Sequence, residues 1–410
     1  MGARTARSRA VNRRAVVLGV YLPVLIFETG IGAILPIIAL RATQLGASLA
    51  QAGLVVALLA VGQIIGDAPA GALAARIGDR RAMLLAASAS VLMLGLAALA
   101  TTVVVLGGAL LLLGAVNAVF LLARHSYLTE TTPVLQRARV LSTLAGLQRV
   151  GTFLGPFIGA GLVHLSGLTA AFWFACATSA VSAVVVLAVP DVDHGRVPSA
   201  GASTWQVLRD HRHVFLTLGL GVLMVGAVRG SRQTVLPLWS EHLGLAPATT
   251  SLIFGLSGAV DMLLFYPAGK LMDRRGRLWT AIPSMLVLAV GFVLLPFTSS
   301  VGGVAAVAML IGLGNGAGSG ILMTLGADVA PREVRAQFLG LWRLCQDAGN
   351  AGGPLMIAAG AALGSLAAGI WAMAAIGGMS VAALARWAPR YSVHANRTSR
   401  RRAREAGLLE

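Results

Sequence analysis

The sequence predicts an all-α integral membrane protein of twelve transmembrane helices, arranged as two pseudo-symmetric six-helix bundles. Three observations carry this expectation. Of 410 residues, 57% are hydrophobic and only 11% are charged, whereas a soluble chain carries about 25% charge. Twelve apolar runs reach the roughly 20 residues that a bilayer span needs. The second half of the chain also repeats the first at a constant shift of 198 positions, the mark of a duplicated unit.

The runs lie near 15–40, 49–74, 82–100, 103–127, 140–164, 169–189, 214–239, 248–271, 279–297, 301–325, 337–362 and 366–388. Short polar or glycine turns divide them, as at Thr101-Thr102, Ser166-Gly167, Thr298-Ser299-Ser300 and Gly364-Ser365. The first run follows Asn12-Arg13-Arg14, which resembles an export signal. It is too long for a cleaved apolar core of about 7–15 residues and reads as the first span, anchored by its arginines. Cys176 and Cys345 sit inside apolar runs; they read as packing residues and form no disulfide framework or zinc spacing.

In the repeat, Pro69 meets Pro267, Gly71 meets Gly269, Arg76 meets Arg274 and Gly78 meets Gly276. Farther on, Asn117 meets Asn315, Pro133 meets Pro331, Gln148 meets Gln346 and Pro156 meets Pro354, with no gap. The repeat is parallel, helix for helix. The chain therefore divides into a segment 1–14, a half 15–189, a linker 190–213, a half 214–388 and a basic tail 389–410. Within the linker, Trp205–His213 is expected to form a short surface helix.

The net charge is +17, but its distribution argues against a nucleic-acid partner. Basic residues collect in the N-terminal segment and the even-numbered connections, while the odd-numbered connections carry only Arg41. This positive-inside pattern puts both termini in the cytoplasm and makes the partner a lipid bilayer, the plasma membrane. The tail arginines face water or touch anionic headgroups. Trp239, Trp279, Trp342, Trp371 and Trp387 fall near run ends and read as interface anchors.

Three segments resemble those of the major facilitator superfamily, a likeness that extends over residues 15–388. Gly269, Leu271, Asp273, Arg274, Gly276 and Arg277 fit the family's loop between its second and third helices. The first copy departs from it: Ala75 stands at the acid and Asp79 at an arginine. Gly151, Gly155, Pro156 and Gly159 in run 5 resemble a motif of the twelve-helix drug:proton antiporter branch. Glycines four apart permit close helix contact, and proline can kink a helix. The resemblance implies alternating access about a midplane cavity and a cytoplasmic gate. That gate would comprise Asp67, Gly71, Arg76, Gly78, Gly269, Asp273, Arg274, Gly276, Arg277 and Arg343, with Asp67 paired to Arg343. Because the first loop is degraded, Asp273 and Arg274 are expected to bear more of the clasp.

Ionisable residues deep in a membrane are the default functional candidates. Glu28, Asp261 and Asp347 are the candidates for proton coupling. Glu28, Asn117, Gln148, Arg149, Arg229, Arg232, Asn315 and Gln346 are the candidates to line the substrate cavity, with Arg149 and Asp261 as a pair. Glu28→Gln is expected to abolish proton-driven transport and leave the fold intact. Arg124 lies near the basic end of run 4, where it can snorkel to headgroups.

No phosphate loop and no His-Glu-x2-His metal motif occurs. The expectation is therefore a monomeric secondary transporter and not an enzyme, with no cofactor and the proton gradient as energy source. Proton-coupled export of amphipathic, drug-like small molecules is favoured. The alternative is uptake or exchange of an anionic organic solute clamped by Arg229 and Arg232. The two separate on whether those arginines face the cavity unpaired or are neutralised by Glu28 or Asp261.

Overall fold

A computed structural model describes residues 20–132, 134–187, 204–331 and 333–405. The expected segment 1–14, the part of the linker before residue 204 and residues 406–410 lie outside the described residues, as do the side-chain surroundings of positions Gly71 and Asp273. The described residues contain no β-strand.

Twelve long helices follow one another: α1 Leu22–Gln44, α2 Leu49–Ile77, α3 Asp79–Ala98, α4 Val103–Thr131, α5 Val134–Ser166, α6 Leu168–Leu187, α7 Leu220–His242, α8 Pro247–Arg275, α9 Leu278–Leu294, α10 Val301–Val329, α11 Arg335–Ala362 and α12 Leu366–Tyr391. Ten are long and apolar enough to cross a membrane. The other two, α5 and α11, have 33 and 28 residues, but carry Gln148, Arg149, Gln346 and Asp347 in mid-span. Length is met there, and the polar residues mark an inward-facing role.

Helix ends follow local chemistry. Ser48, Thr102, Ser300 and Ser365 each cap a helix start with a side-chain oxygen, satisfying an N–H that has no intrahelical partner. Gly78 and Gly276, repeat mates, end α2 and α8 with φ of +87° and +108°, a conformation that glycine adopts without a Cβ penalty. These turns define one end of the bundle, here the basic end. The α1–α2 and α7–α8 turns define the far end.

Within each half, small residues let backbones touch. A methyl group on Gly151 would lie 2.8 Å from Glu28 Cβ, and one on Gly159 would lie 2.8 Å from the Ala33 carbonyl oxygen. The run 5 motif is thus the seam of α5 against α1. Gly349 and Gly353 meet Leu223 and Ala227 in the same way, so α11 packs on α7 as α5 packs on α1. Apolar burial drives little in lipid, and close backbone packing takes its place. Between halves, α2 packs on α11 and α5 on α8.

Two expectations are corrected. Trp342 is fully buried and donates its indole N–H to the Leu322 carbonyl at 2.8 Å; Trp239 is buried and donates to Thr298 Oγ1 at 3.0 Å. Neither is an interface anchor, because each ring fills a gap and finds its acceptor inside the protein. Run 10 is not one continuous helix but breaks into Val301–Ala317 and Ile321–Val329 around Gly320, at φ +79°. Its repeat mate α4 carries Phe120-Leu121-Leu122 at the matching place and stays continuous. The expected linker helix forms over Thr204–Asp210 and packs on α11, with Val207 buried.

Candidate binding cavity

A central cavity lies between the halves in two lobes of about 430 and 290 Å3, which share Arg149, Arg229, Arg232, Gln233 and Asn315. The larger lobe reaches Gln63 on α2 and Gln346 and Asn350 on α11. The smaller reaches Glu28 and Gln148, and its wall includes Phe153, Phe254 and Met262. The larger lobe is lined largely by polar side chains and the smaller has the more apolar wall, so convergent polar groups sit beside an apolar surface that can take the body of a small molecule.

Asp261 on α8 is the hub. Its Oδ2 accepts from Arg232 Nη1 at 2.9 Å and from Asn315 Nδ2 at 2.7 Å. The expected Arg149–Asp261 pair forms at 3.9 Å, at the edge of salt-bridge range. Arg149 donates to Ser319 Oγ at 3.0 Å and its guanidinium lies 4.2 Å from the centre of the Phe265 ring.

Arg229 differs from Arg232. It donates from Nε to Asn315 Oδ1 at 3.0 Å, from Nη1 to the Gly318 carbonyl at 2.8 Å, and from Nη2 to the Asn315 carbonyl at 3.4 Å. All three acceptors are neutral. The break in α10 is what exposes the Gly318 carbonyl, in keeping with the rule that irregular backbone in a membrane lines a cavity. Three arginines thus surround one carboxylate at this level.

Glu28 lines the smaller lobe but is already engaged. Its Oε1 accepts from Arg124 Nη1 at 3.0 Å and from Gln148 Nε2 at 3.2 Å. Arg124 is 0% exposed. It does not snorkel: Glu28 draws it inward, and Phe120 lies 5.5 Å from its guanidinium carbon.

Of the remaining candidates, Gln148, Gln346 and Asn315 line the cavity, and Asn117 does not; Asn117 Oδ1 is buried without a hydrogen-bond partner. Asp347 bonds to Arg343 Nε on its own helix at 3.3 Å and to Asn350 Nδ2 at 3.5 Å. Arg343 therefore takes a carboxylate one helical turn away in place of Asp67, since an i,i+4 partner needs no approach of a second helix.

The family model described as Major Facilitator Superfamily matches residues 18–354 and, in a second match, 218–410. The chain belongs to the Major Facilitator Superfamily. It is a multi-pass membrane protein of that superfamily, and the two-lobed cavity is its candidate binding site. Relatives include the multidrug resistance protein MdtH of Klebsiella pneumoniae, 25% identical over 239 residues, covering 56% of this chain and 58% of that protein. They also include the multidrug resistance protein MdtG of Proteus mirabilis, 28% identical over 174 residues, covering 41% of this chain and 43% of that one. The chain thus spans less than two thirds of the relatives it matches. The nucleoside transporter NupG shares the fold, with a TM-score of 0.74 at 13% identity over 90% of this chain and 98% of that one.

The superfamily's loop segments sit at the basic end. Arg277 forms a two-pronged pair with Asp328 on α10, Nε to Oδ2 at 2.9 Å and Nη2 to Oδ1 at 3.3 Å. Arg76 and Arg274 are exposed, and Asp79 is buried. A methyl on Gly269 would meet nothing within 4 Å, so this glycine serves no close helix contact here. Sequence reasoning missed Ser319, Gly318, Gln233 and Phe265. The signal for the first two was present: glycine occupies positions 312, 314, 316, 318 and 320, and a glycine-interrupted span points to a binding site.

Proposed function

We propose that this transporter exports amphipathic, drug-like organic compounds from the cytoplasm, favours those that carry an anionic group, and uses the proton gradient. The observation that carries the reading is the convergence of Arg149, Arg229 and Arg232 on one cavity in which Asp261 is their only salt-bridge carboxylate among the described residues. Arg229 keeps neutral acceptors alone, so an incoming carboxylate or phosphate completes its pairing. Phe153, Phe254 and Met262 offer the apolar body of the solute a wall. The positive-inside pattern supports a cytoplasmic basic end and a plasma-membrane setting.

A second reading keeps neutral or cationic drugs as cargo. The Arg232–Asp261 pair favours it, because it neutralises one of the two helix 7 arginines. The multidrug relatives support export in either case, as homology at 25–28% identity.

The test is flux in proteoliposomes under an imposed pH gradient, with shape-matched organic anions and cations. Arg229→Gln is expected to cut anion flux about tenfold, the loss of one charge-assisted contact, and to spare cation flux. Equal loss for both, or none for the anion, rejects the anionic reading.

A further inference from the structure

The chain beyond α12 is built into the loop between α8 and α9. Arg277 N–H donates to the His394 carbonyl at 3.1 Å and Leu278 N–H to the Ala395 carbonyl at 2.9 Å. These are the first amides of α9, which have no intrahelical acceptor. Ser392 Oγ donates to Asp328 Oδ2 at 3.1 Å, the same oxygen that holds Arg277 Nε. Ser392 and Ala395 are buried. A methyl on Gly276 would lie 2.8 Å from the Ala395 carbonyl oxygen and 3.0 Å from Asn396 Cα, so this glycine admits the tail.

A helix follows, Arg397–Glu405, started by Asn396, whose Oδ1 accepts from Ser399 N–H at 2.8 Å. Its sequence holds Arg397, Arg400, Arg401, Arg402 and Arg404 against one acid, Glu405. Arg397 and Arg401 are exposed. Two features beside it belong at a headgroup level. Arg386 and Arg390 bracket the Trp387 ring, at 5.2 and 4.6 Å from its centre, and Arg275 lies 5.5 Å from that of Trp279, next to the tail contact. Tryptophan with arginine at a helix end is the signature of a membrane interface.

We propose that the helix Arg397–Glu405 binds anionic lipid headgroups, and that this contact tightens the tail on the α8–α9 loop. Arginine clusters that directly follow a membrane helix are drawn to anionic leaflets, and the segment Ser392–Asn396 transmits the attachment to Arg277 and Leu278.

The test uses the full chain in nanodiscs of phosphatidylcholine, with or without phosphatidylglycerol, and needs no transport substrate. Lipid retention is read by native mass spectrometry, and hydrogen exchange is read at Arg277 and Leu278. Phosphatidylglycerol is expected to slow exchange at both amides in the wild type. Replacing the five tail arginines by Gln is expected to lower phosphatidylglycerol retention at least about tenfold and to abolish the slowing, while five Lys replacements keep both. Ser392→Ala is expected to keep retention and lose most of the slowing. Equal retention and equal protection in the Gln variant overturn the proposal. So does slowing by soluble glycerol phosphate at matched concentration, which would make the ligand a free phosphate.

Discussion

Thr43 and Glu241 stand 198 residues apart, the repeat distance itself, and are bonded to each other: Thr43 Oγ1 donates to Glu241 Oε1 at 2.8 Å. Equivalent places on α1 and α7 thus meet across the pseudo-two-fold axis at the far end. Nearby, a methyl on Gly53 of α2 would touch Ala358 of α11, so the two halves are joined along this face. A hydrogen bond to a charged acceptor contributes about 1.5–3 kcal/mol, enough to move a two-state equilibrium roughly tenfold or more. Thr43→Val should therefore raise the population open at the far end. Thiol labelling of a cysteine placed at Gln233, from the far side of sealed vesicles, reads it. Unchanged labelling would show that the bond does not hold the halves together.

Glu28 was expected to tolerate Gln with its fold intact. The structure attaches a stability cost to that substitution, because Arg124 is 0% exposed and Glu28 is its salt-bridge partner. Removing one member of a buried ion pair costs about 3–5 kcal/mol, since the other is left uncompensated. Glu28→Gln should lower the unfolding temperature in detergent, and adding Arg124→Gln should restore most of it. A Glu28→Gln protein as stable as wild type would mean that Arg124 finds another partner.

How much of this was legible follows the physics of each element. The spans were readable because lipid enforces length and apolarity, and the duplicated halves because Gly78 and Gly276 end matching helices. The runs of α5 and α11 reach span length although Arg149 and Asp347 interrupt their apolarity, and the repeat supports both. Partner choice was not readable. Arg343 had two carboxylates within reach of a helical argument, Asp67 and Asp347, and spacing alone does not rank them. The break in α10 was visible as a glycine cluster, but only the fold shows that it presents a carbonyl to Arg229.

Asp261 holds Arg232 and Asn315 through one oxygen. Asp261→Asn should free Arg232, and partly Arg149, for an incoming anion. The residue borders a cavity, so water replaces part of the lost pairing and the fold should persist. The concentration for half-maximal anion flux is expected to fall about tenfold, the equivalent of one charge-assisted hydrogen bond. An unchanged or higher value would assign Asp261 to holding the helices together and not to competing with the solute.

Two glycines from the segments that first suggested the family should behave oppositely. A methyl on Gly155 would lie 2.5 Å from Ala33 N and 2.6 Å from Gly32 Cα; backbone cannot yield there, so α5 must move off α1. That overpacking costs about 1–3 kcal/mol or more, and it displaces Gln148 and Glu28 from the cavity wall. Gly269 has open space around it, and alanine in a helix interior is favoured over glycine by about 1 kcal/mol. Gly155→Ala should thus unfold at lower temperature and lose transport, while Gly269→Ala keeps or gains stability. Should Gly269→Ala prove stable yet inactive, the helix contact that needs this glycine forms in the conformation where the basic end is closed, and trapping that state by crosslinking would locate its partner.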